Sequence, residues 1–307
     1  MKILITGAAG QLGTELRRQL EQGKSALGEI PEKLRRATVL CTDIGVEGMR
    51  ELDITNRHEV AAFVRHHQPD VIICCAAYTN VDGCEIHRED AFRVNALGPR
   101  NLAMAAEEIG AKLIHVSTDY VFSGVDNGGV ALDEACGTCP VSAYGQTKLL
   151  GEEYVRQFCS RSFVVRTAWL YSLTGKNFVF TMMNAGKKFG KLTVVNDQLG
   201  NPTNAEDLAH HLLKMVVSKE YGVYHCTGEG VCSWYDFAVE IMRLSGVGAE
   251  VAPCTSDEYA AAHPEAARRP AWSALENRML ACTVGNEMRP WREALESFFE
   301  QWRARQQ

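Results

Sequence analysis

The chain has 307 residues, 46% of them apolar and 23% charged, with a net charge of −6. That length can bury a sizeable core, as one large domain or two smaller ones. The balance lacks the clustered positive charge of a nucleic-acid-binding surface, and no apolar run approaches the ~20 residues of a membrane-spanning helix. Met1 to Gly7 passes from a short apolar run straight into glycine, unlike a secretory signal, so a cytoplasmic protein is expected, with neither nucleic acid nor membrane as partner. Eleven cysteines, an odd number, argue against a disulfide scaffold. Cys136-Gly137-Thr138-Cys139 has no second pair to complete a zinc site and reads as incidental. His66-His67 and His210-His211 are helix neighbours whose side chains diverge, so both pairs are expected at the surface.

In chain order, Lys2 to Thr6 reads as a strand, Gly7-Ala8-Ala9-Gly10-Gln11-Leu12-Gly13 as a glycine turn, and Leu12 to Leu20 as a helix with apolar residues at 12, 16 and 20. Strand, glycine turn and helix together form the setting of a dinucleotide-binding turn, although the spacing is G-x-x-G-x-x-G. The charged stretch from Gly23 to Arg36 reads as a solvated helix extension or loop. Thr38 to Asp43 follows as a strand ending in an acid that can accept hydrogen bonds from a ribose, or that merely begins a turn. Leu52-Asp53-Ile54-Thr55 predicts a short strand, with Thr55 or Asn56 capping a helix from Arg57.

Val71 to Ala77 is a continuous apolar run, the pattern of a strand buried on both faces, with small residues at its end where a cofactor can approach. A helix from about Arg88 to Ile109 precedes the strand Lys112 to Ser117, which delivers Thr118, Asp119 and Tyr120 to its carboxyl end. Next come a helix from Tyr144 to Cys159 and a strand from Ser162 to Thr167 leading to Trp169. A helix is expected near Asn177 to Lys188, a strand at Leu192 to Val195, and a polar loop, Asn196 to Thr203, that suits either a turn or a sugar-binding rim. Helix 206–217, strand 221–226, helix 234–244, a loop at Arg268-Arg269-Pro270 and a helix around 291–303 complete the chain. Repeated strand–helix alternation predicts an α/β fold, a doubly wound parallel Rossmann sheet with a smaller interleaved α/β substrate-binding lobe. The expected division is 1–170 with about 204–232 for the dinucleotide, and about 171–203 with 233–307 for the substrate.

Tyr144 and Lys148 lie four apart and so share one helical face. A free phenol titrates near ~10, so ionising it at neutral pH costs about 4 kcal/mol, which a nearby cation offsets in part. The pair is either a proton shuttle with a tuning charge or a helical aromatic beside a solvated lysine.

Tyr144-Gly145-Gln146-Thr147-Lys148, taken with the nucleotide turn and Ser117-Thr118 at a strand end, resembles the extended short-chain dehydrogenase/reductase family. The ordered string Ala76-Ala77-Tyr78-Thr79-Asn80-Val81-Asp82, Ser117-Thr118-Asp119-Tyr120-Val121-Phe122, Arg166-Thr167-Ala168-Trp169-Leu170-Tyr171 and Asn196-Asp197-Gln198 is similar, within it, to the dTDP-4-dehydrorhamnose reductases. The resemblance spans nearly the whole chain. It implies reduction of the C4 ketone of dTDP-4-dehydro-L-rhamnose by NADPH or NADH, and it leaves a homodimer open. It implies Tyr144 as proton donor, Lys148 as its tuning cation and Thr118 as a partner of the reacting oxygen. Gly7, Gly10, Gln11, Leu12 and Gly13 match the family's pyrophosphate turn, and Asp43, Asp53 and Ile54 its adenosine side. Ala76, Ala77 and Tyr78 match the strand-end segment along the cofactor. Asp119, Trp169, Asn177 and Arg269 match the substrate side.

Cys74-Cys75 departs from the Asn-Ala often found at this strand end, and the insertion at 24–37 lengthens the path to the ribose acid. Asp43 favours the free 2′-hydroxyl of NADH, yet relatives also use NADPH. A sugar dehydratase would carry an acid where Tyr120 stands, and a fucose-synthase-like epimerase-reductase a cysteine close after Ser117. The alternative from another class is a non-catalytic NADP-binding subunit like that of methionine adenosyltransferase.

Overall fold

The computed structural model describes residues 1–126 and 128–306. Its centre is an all-parallel sheet of β1 (Lys2–Thr6), β2 (Thr38–Asp43), β3 (Arg50–Glu51), β4 (Val71–Cys74), β5 (Lys112–Thr118), β6 (Ser162–Thr167) and β7 (Gly222–His225). The spatial order is β7-β6-β5-β4-β1-β2-β3, so the strand order reverses between β1 and β4. Side chains alternate across the sheet: Ile3 and Ile5 enter one core while Leu4 enters the other, and Ile73 and Ile72 divide likewise. The first core is closed by α1 (Gln11–Gln22) and α8 (Ala205–Val217), the second by α2 (Arg57–His67), α5 (Gly98–Ile109) and α6 (Ala143–Phe158). The doubly wound expectation therefore holds.

A third core gathers α7 (Phe178–Phe189), α9 (Trp234–Ser245), α12 (Trp291–Ala304) and the parallel pair Lys191–Val195 with Glu250–Cys254. Burying Phe237 and Phe299 there, each with no exposed surface, stabilises it by about 1.5–3 kcal/mol apiece. The segment through α11 (Arg278–Cys282) departs from the expected division, because Leu280 and Met288 pack into the first sheet core.

Other expectations are corrected. The stretch 24–36 folds as a hairpin, Lys24–Ser25 with Gly28–Glu29, then a 3-10 turn at Glu32–Leu34, because Ile30 and Leu34 anchor it in the first core. Leu52 to Thr55 bends into a turn and is not a strand: Asp53 Oδ1 accepts the Thr55 amide at 2.9 Å and the Asp53 carbonyl the Asn56 amide at 3.0 Å, while Leu52 and Ile54 anchor it in the second core. His210 and His211 are buried, not exposed, since α8 is covered on all sides; Ser25 Oγ lies 2.9 Å from His210 Nδ1, and the Glu287 amide donates to His211 Nε2 at 3.0 Å.

Elements without a sequence expectation include α3 (Val81–Ile86), α10 (Ser256–Ala262), α11 and the strand Glu250–Cys254, whose Pro253 and Glu250 disguise it. The helix from Arg88 continues to Ile109, but through a π turn at Arg93–Leu97 that drives Asn95 inward. Among the described residues no helix is long and apolar enough to cross a membrane.

Candidate active site

A cavity of about 770 Å³ opens beyond the carboxyl ends of β1, β4 and β5, where the strand order reverses. At one end α1 begins at Gly10 with no side-chain cap, so its first-turn amides are left for a ligand. A β-carbon on Gly13 would stand 2.4 Å from the Gly7 carbonyl oxygen, so only glycine lets helix and turn approach so closely. Asp43, ending β2, accepts the Ala9 amide at 2.8 Å and its neighbour's, that of Ile44, at 2.9 Å. The carboxylate thus braces the glycine turn as well as facing the cavity, which Asp53, Ile54, Ala76 and Ala77 also line.

Uncapped amides, two carboxylates and small strand-end residues together form a donor and acceptor set that fits a dinucleotide. Tyr78 is not part of the lining. Asn95 grips its backbone, accepting the amide at 2.8 Å and donating to the carbonyl at 3.1 Å, while its ring packs with Cys84, Ala91 and Ala143.

Thr118 ends β5, and α6 carries Tyr144 and Lys148 into the same cavity. Ser142 caps α6 by accepting the Gly145 amide at 3.2 Å. A β-carbon on Gly145 would meet the Tyr120 carbonyl oxygen at 2.2 Å, so this glycine lets α6 seat against the turn after β5 and sets how Tyr144 faces Thr118. Tyr120 stands edge-on to Tyr144, with ring centroids 5.7 Å apart.

Burial pushes the Tyr144 phenol above its ordinary range; the Thr118 hydroxyl eases it and the Asp119 charge adds to it. The phenol is therefore a protonated donor at neutral pH. Lys148 Nζ donates to the Val116 carbonyl at 2.6 Å, and what relieves the phenol is Thr118. Burial draws the Lys148 ammonium below the usual lysine range, while Cys74, Glu152 and Cys75 pull it back up.

Behind these groups, Glu152 accepts the Ser117 hydroxyl at 2.5 Å and pairs with Arg166 at 2.8 Å, with both charged side chains almost fully buried. Sequence reasoning missed this pair, although Glu152 continues the four-residue series Tyr144, Lys148, Glu152 on one helical face.

At the other end lie Asp119, Trp169 and Asn177, with Trp234 and Lys176, two lining residues the sequence did not single out. Asn177 caps α7, accepting the Phe180 amide at 3.2 Å, and its amide group donates to Gln11 Oε1 at 3.2 Å and to the Ser172 carbonyl at 2.8 Å. The glycine turn is thereby tied to the third core. Arg269 is not brought into the lining: it forms an ion pair with Asp82 at 3.0 Å, and the Ala267 amide donates to the same carboxylate at 2.9 Å. Trp169 has a left-handed backbone, φ +48°, which costs a non-glycine residue about 1–3 kcal/mol.

Asp119 is buried, its Oδ2 without a partner among the described residues, and burial raises its carboxyl to about 6, an effect that nearby Ser273 and the Thr118 hydroxyl, which donates to Oδ1 at 3.0 Å, only partly offset. A carboxyl raised on folding contributes stability below its ordinary range and loses that contribution as pH climbs through the folded value. The cost above that point is roughly 3 kcal/mol. Asp119→Asn is therefore expected to raise the melting temperature at pH ~8 and leave it unchanged at pH ~4, with activity reduced. Equal shifts at both pH values in thermal melts would contradict this account.

The family model described as RmlD substrate binding domain matches residues 1–304. A dTDP-4-dehydrorhamnose reductase from Clostridium acetobutylicum superposes with a TM-score of 0.89 at 45% identity, covering 99% of this chain and 100% of that one. The Bacillus anthracis dTDP-4-dehydrorhamnose reductase, solved in complex with NADP, gives 0.87 at 37% identity over 98% and 99% of the two chains. The Mycolicibacterium smegmatis dTDP-4-dehydrorhamnose reductase is 40% identical over 299 residues, 96% of this chain and 84% of that protein. With these matches spanning both the sheet and the third core, the chain belongs to the dTDP-4-dehydrorhamnose reductase family.

Proposed function

We propose that this chain reduces the C4 ketone of dTDP-4-dehydro-L-rhamnose to the alcohol of dTDP-L-rhamnose, using NADPH or NADH. The observation that carries the reading is the convergence of Thr118, Tyr144 and Lys148 on one cavity with an uncapped helix N-terminus, in a chain of this family. The reduced nicotinamide, when bound, supplies the hydride. Tyr144, held protonated by its burial, donates the phenolic proton to the C4 oxygen as negative charge grows there. The Thr118 hydroxyl hydrogen-bonds the same oxygen and shares that charge.

Lys148 holds the nicotinamide ribose, and its ammonium steadies the phenolate left behind. Gly7, Gly10, Gln11, Leu12 and Gly13 hold the diphosphate, Asp43, Asp53 and Ile54 the adenosine, and Ala76 and Ala77 the nicotinamide side. Asp119, Trp169 and Asn177 hold the sugar nucleotide. In this reading the sheet side, 1–170 with about 204–232 and the segment 278–288, binds the dinucleotide. The rest of 171–203 and 233–307 selects the sugar.

The test supplies each reduced cofactor with dTDP-4-dehydro-L-rhamnose and follows nicotinamide absorbance. Oxidation with at least one cofactor is expected. None with either, in folded protein, would retire the proposal.

A further inference from the structure

Trp169 and Trp234 stack face to face, ring centroids 3.6 Å apart and planes 9° from parallel, and both line the cavity. They are brought together by chain segments far apart in sequence. Leu170 and Tyr171 pair with Thr203 and Asn204, fixing the strand that leaves Trp169. Leu199 and Gly200 pair with Ser233 and Cys232, fixing the start of α9, whose first residue is Trp234. A β-carbon on Gly200 would lie 2.7 Å from Trp169 Cε2, so the Trp169 indole is held between Gly200 and Trp234. Phe178 backs Trp234 at 4.5 Å.

The Asn196-Asp197-Gln198 segment, whose sequence suits a turn or a sugar-binding rim, is engaged in this scaffold. Ser233 Oγ, the cap of α9, donates to Asn196 Oδ1 at 2.9 Å. Ser256 donates its amide and hydroxyl to Asp197 at 2.9 and 2.6 Å, and Gln198 donates to Ser256 Oγ at 3.0 Å. Among the described residues, the indole N–H groups of Trp169 and Trp234 have no protein acceptor, whereas that of Trp272 donates to the Val130 carbonyl at 3.0 Å. Two indoles whose N–H groups have no protein acceptor thus line the cavity, one of them on a left-handed backbone.

We propose that Trp234 is a positioning residue for the nucleotide-sugar substrate. By stacking, it holds Trp169 in its left-handed backbone with the indole edge aimed at the oxygens of that substrate. The inference rests on the reductase reading above. The flat aromatic face is what matters, so phenylalanine at 234 supports Trp169 where alanine lets it turn away. The contribution belongs to sugar-nucleotide binding: the dinucleotide end is built from α1, β2 and β4, whereas the two rings are held by Gly200, Phe178 and the start of α9.

The test compares Trp234→Ala, Trp234→Phe and the parent chain by steady-state kinetics with dTDP-4-dehydro-L-rhamnose, by titration with the reduced cofactor, and by far-ultraviolet circular dichroism. The stacked indoles of the parent should give an exciton couplet that both variants lose. For Trp234→Ala, KM for the sugar nucleotide should rise about tenfold or more, with kcat down about threefold at most and cofactor affinity within about twofold. Trp234→Phe should recover most of the KM. An unchanged KM in Trp234→Ala would overturn the proposal, as would equal losses in cofactor and sugar affinity that phenylalanine does not repair. If the parent itself does not turn over, the reductase reading fails and this inference falls with it; a parent that turns over with an indifferent Trp234→Ala removes the inference alone.

Discussion

Replacing Tyr144 with phenylalanine is expected to lower kcat by about 10²–10⁴-fold while leaving the affinity for the reduced cofactor within about twofold. The substitution removes one oxygen and keeps the ring, so the contacts with Cys84, Ala91 and Ala143 and the edge-on contact with Tyr120 survive. What disappears is the protonated donor facing Thr118. Single-turnover measurements at saturating substrate isolate the chemical step, and cofactor titration with the same protein provides the control. A variant that loses cofactor binding as severely as turnover would mean that Tyr144 supports the fold of the site instead of the proton transfer.

Arg166→Met is expected to destabilise the protein by about 3–5 kcal/mol, the usual consequence of leaving one member of a buried ion pair without its partner. Glu152 would keep only the Ser117 hydroxyl at 2.5 Å, in a position almost closed to water. Arg166 also sits 5.2 Å over the Phe122 ring, and its loss opens that contact too. Replacing both partners, with Glu152→Leu added to Arg166→Met, should recover much of the loss, because no charge is then stranded. Denaturant unfolding of the parent, the single and the double variant measures this directly; a single variant within about 1 kcal/mol of the parent would show that the pair is not what holds α6 to β5 and β6.

Much of the site was legible because its parts are local. Val71 to Ala77 reads as a buried strand from its own apolar run, and Tyr144 and Lys148 share a face through helical geometry alone. Gly10 opens α1 uncapped, as a turn between a strand and an amphipathic helix allows. Asn177 was singled out as a substrate-side residue, and the structure adds its work as the cap of α7 and as the tie to Gln11.

Other features had no local signature. Asn95 meets Tyr78 only because a π turn rotates it inward, 17 residues away in the chain. Trp234 meets Trp169 through two short ladders joining four separate segments. His210 and His211 looked like surface residues because divergence on a helix says nothing about how many neighbours surround that helix. Leu280 and Met288 lie between α9 and α12 of the third core in sequence yet pack on the sheet.

The parallel sheet, the glycine turn at its reversal point and the shared α6 face of phenol and lysine are all encoded locally in the chain. Each depends on periodicity or spacing within about one element, and the pleat and the helical turn make those distances physical. That Lys148 donates to Val116, that Arg166 pairs with Glu152, and that Trp234 stacks on Trp169 emerges only in the folded chain. Those contacts join residues on different elements, and packing, hydrogen bonding and burial set their partners only once the chain has closed around them.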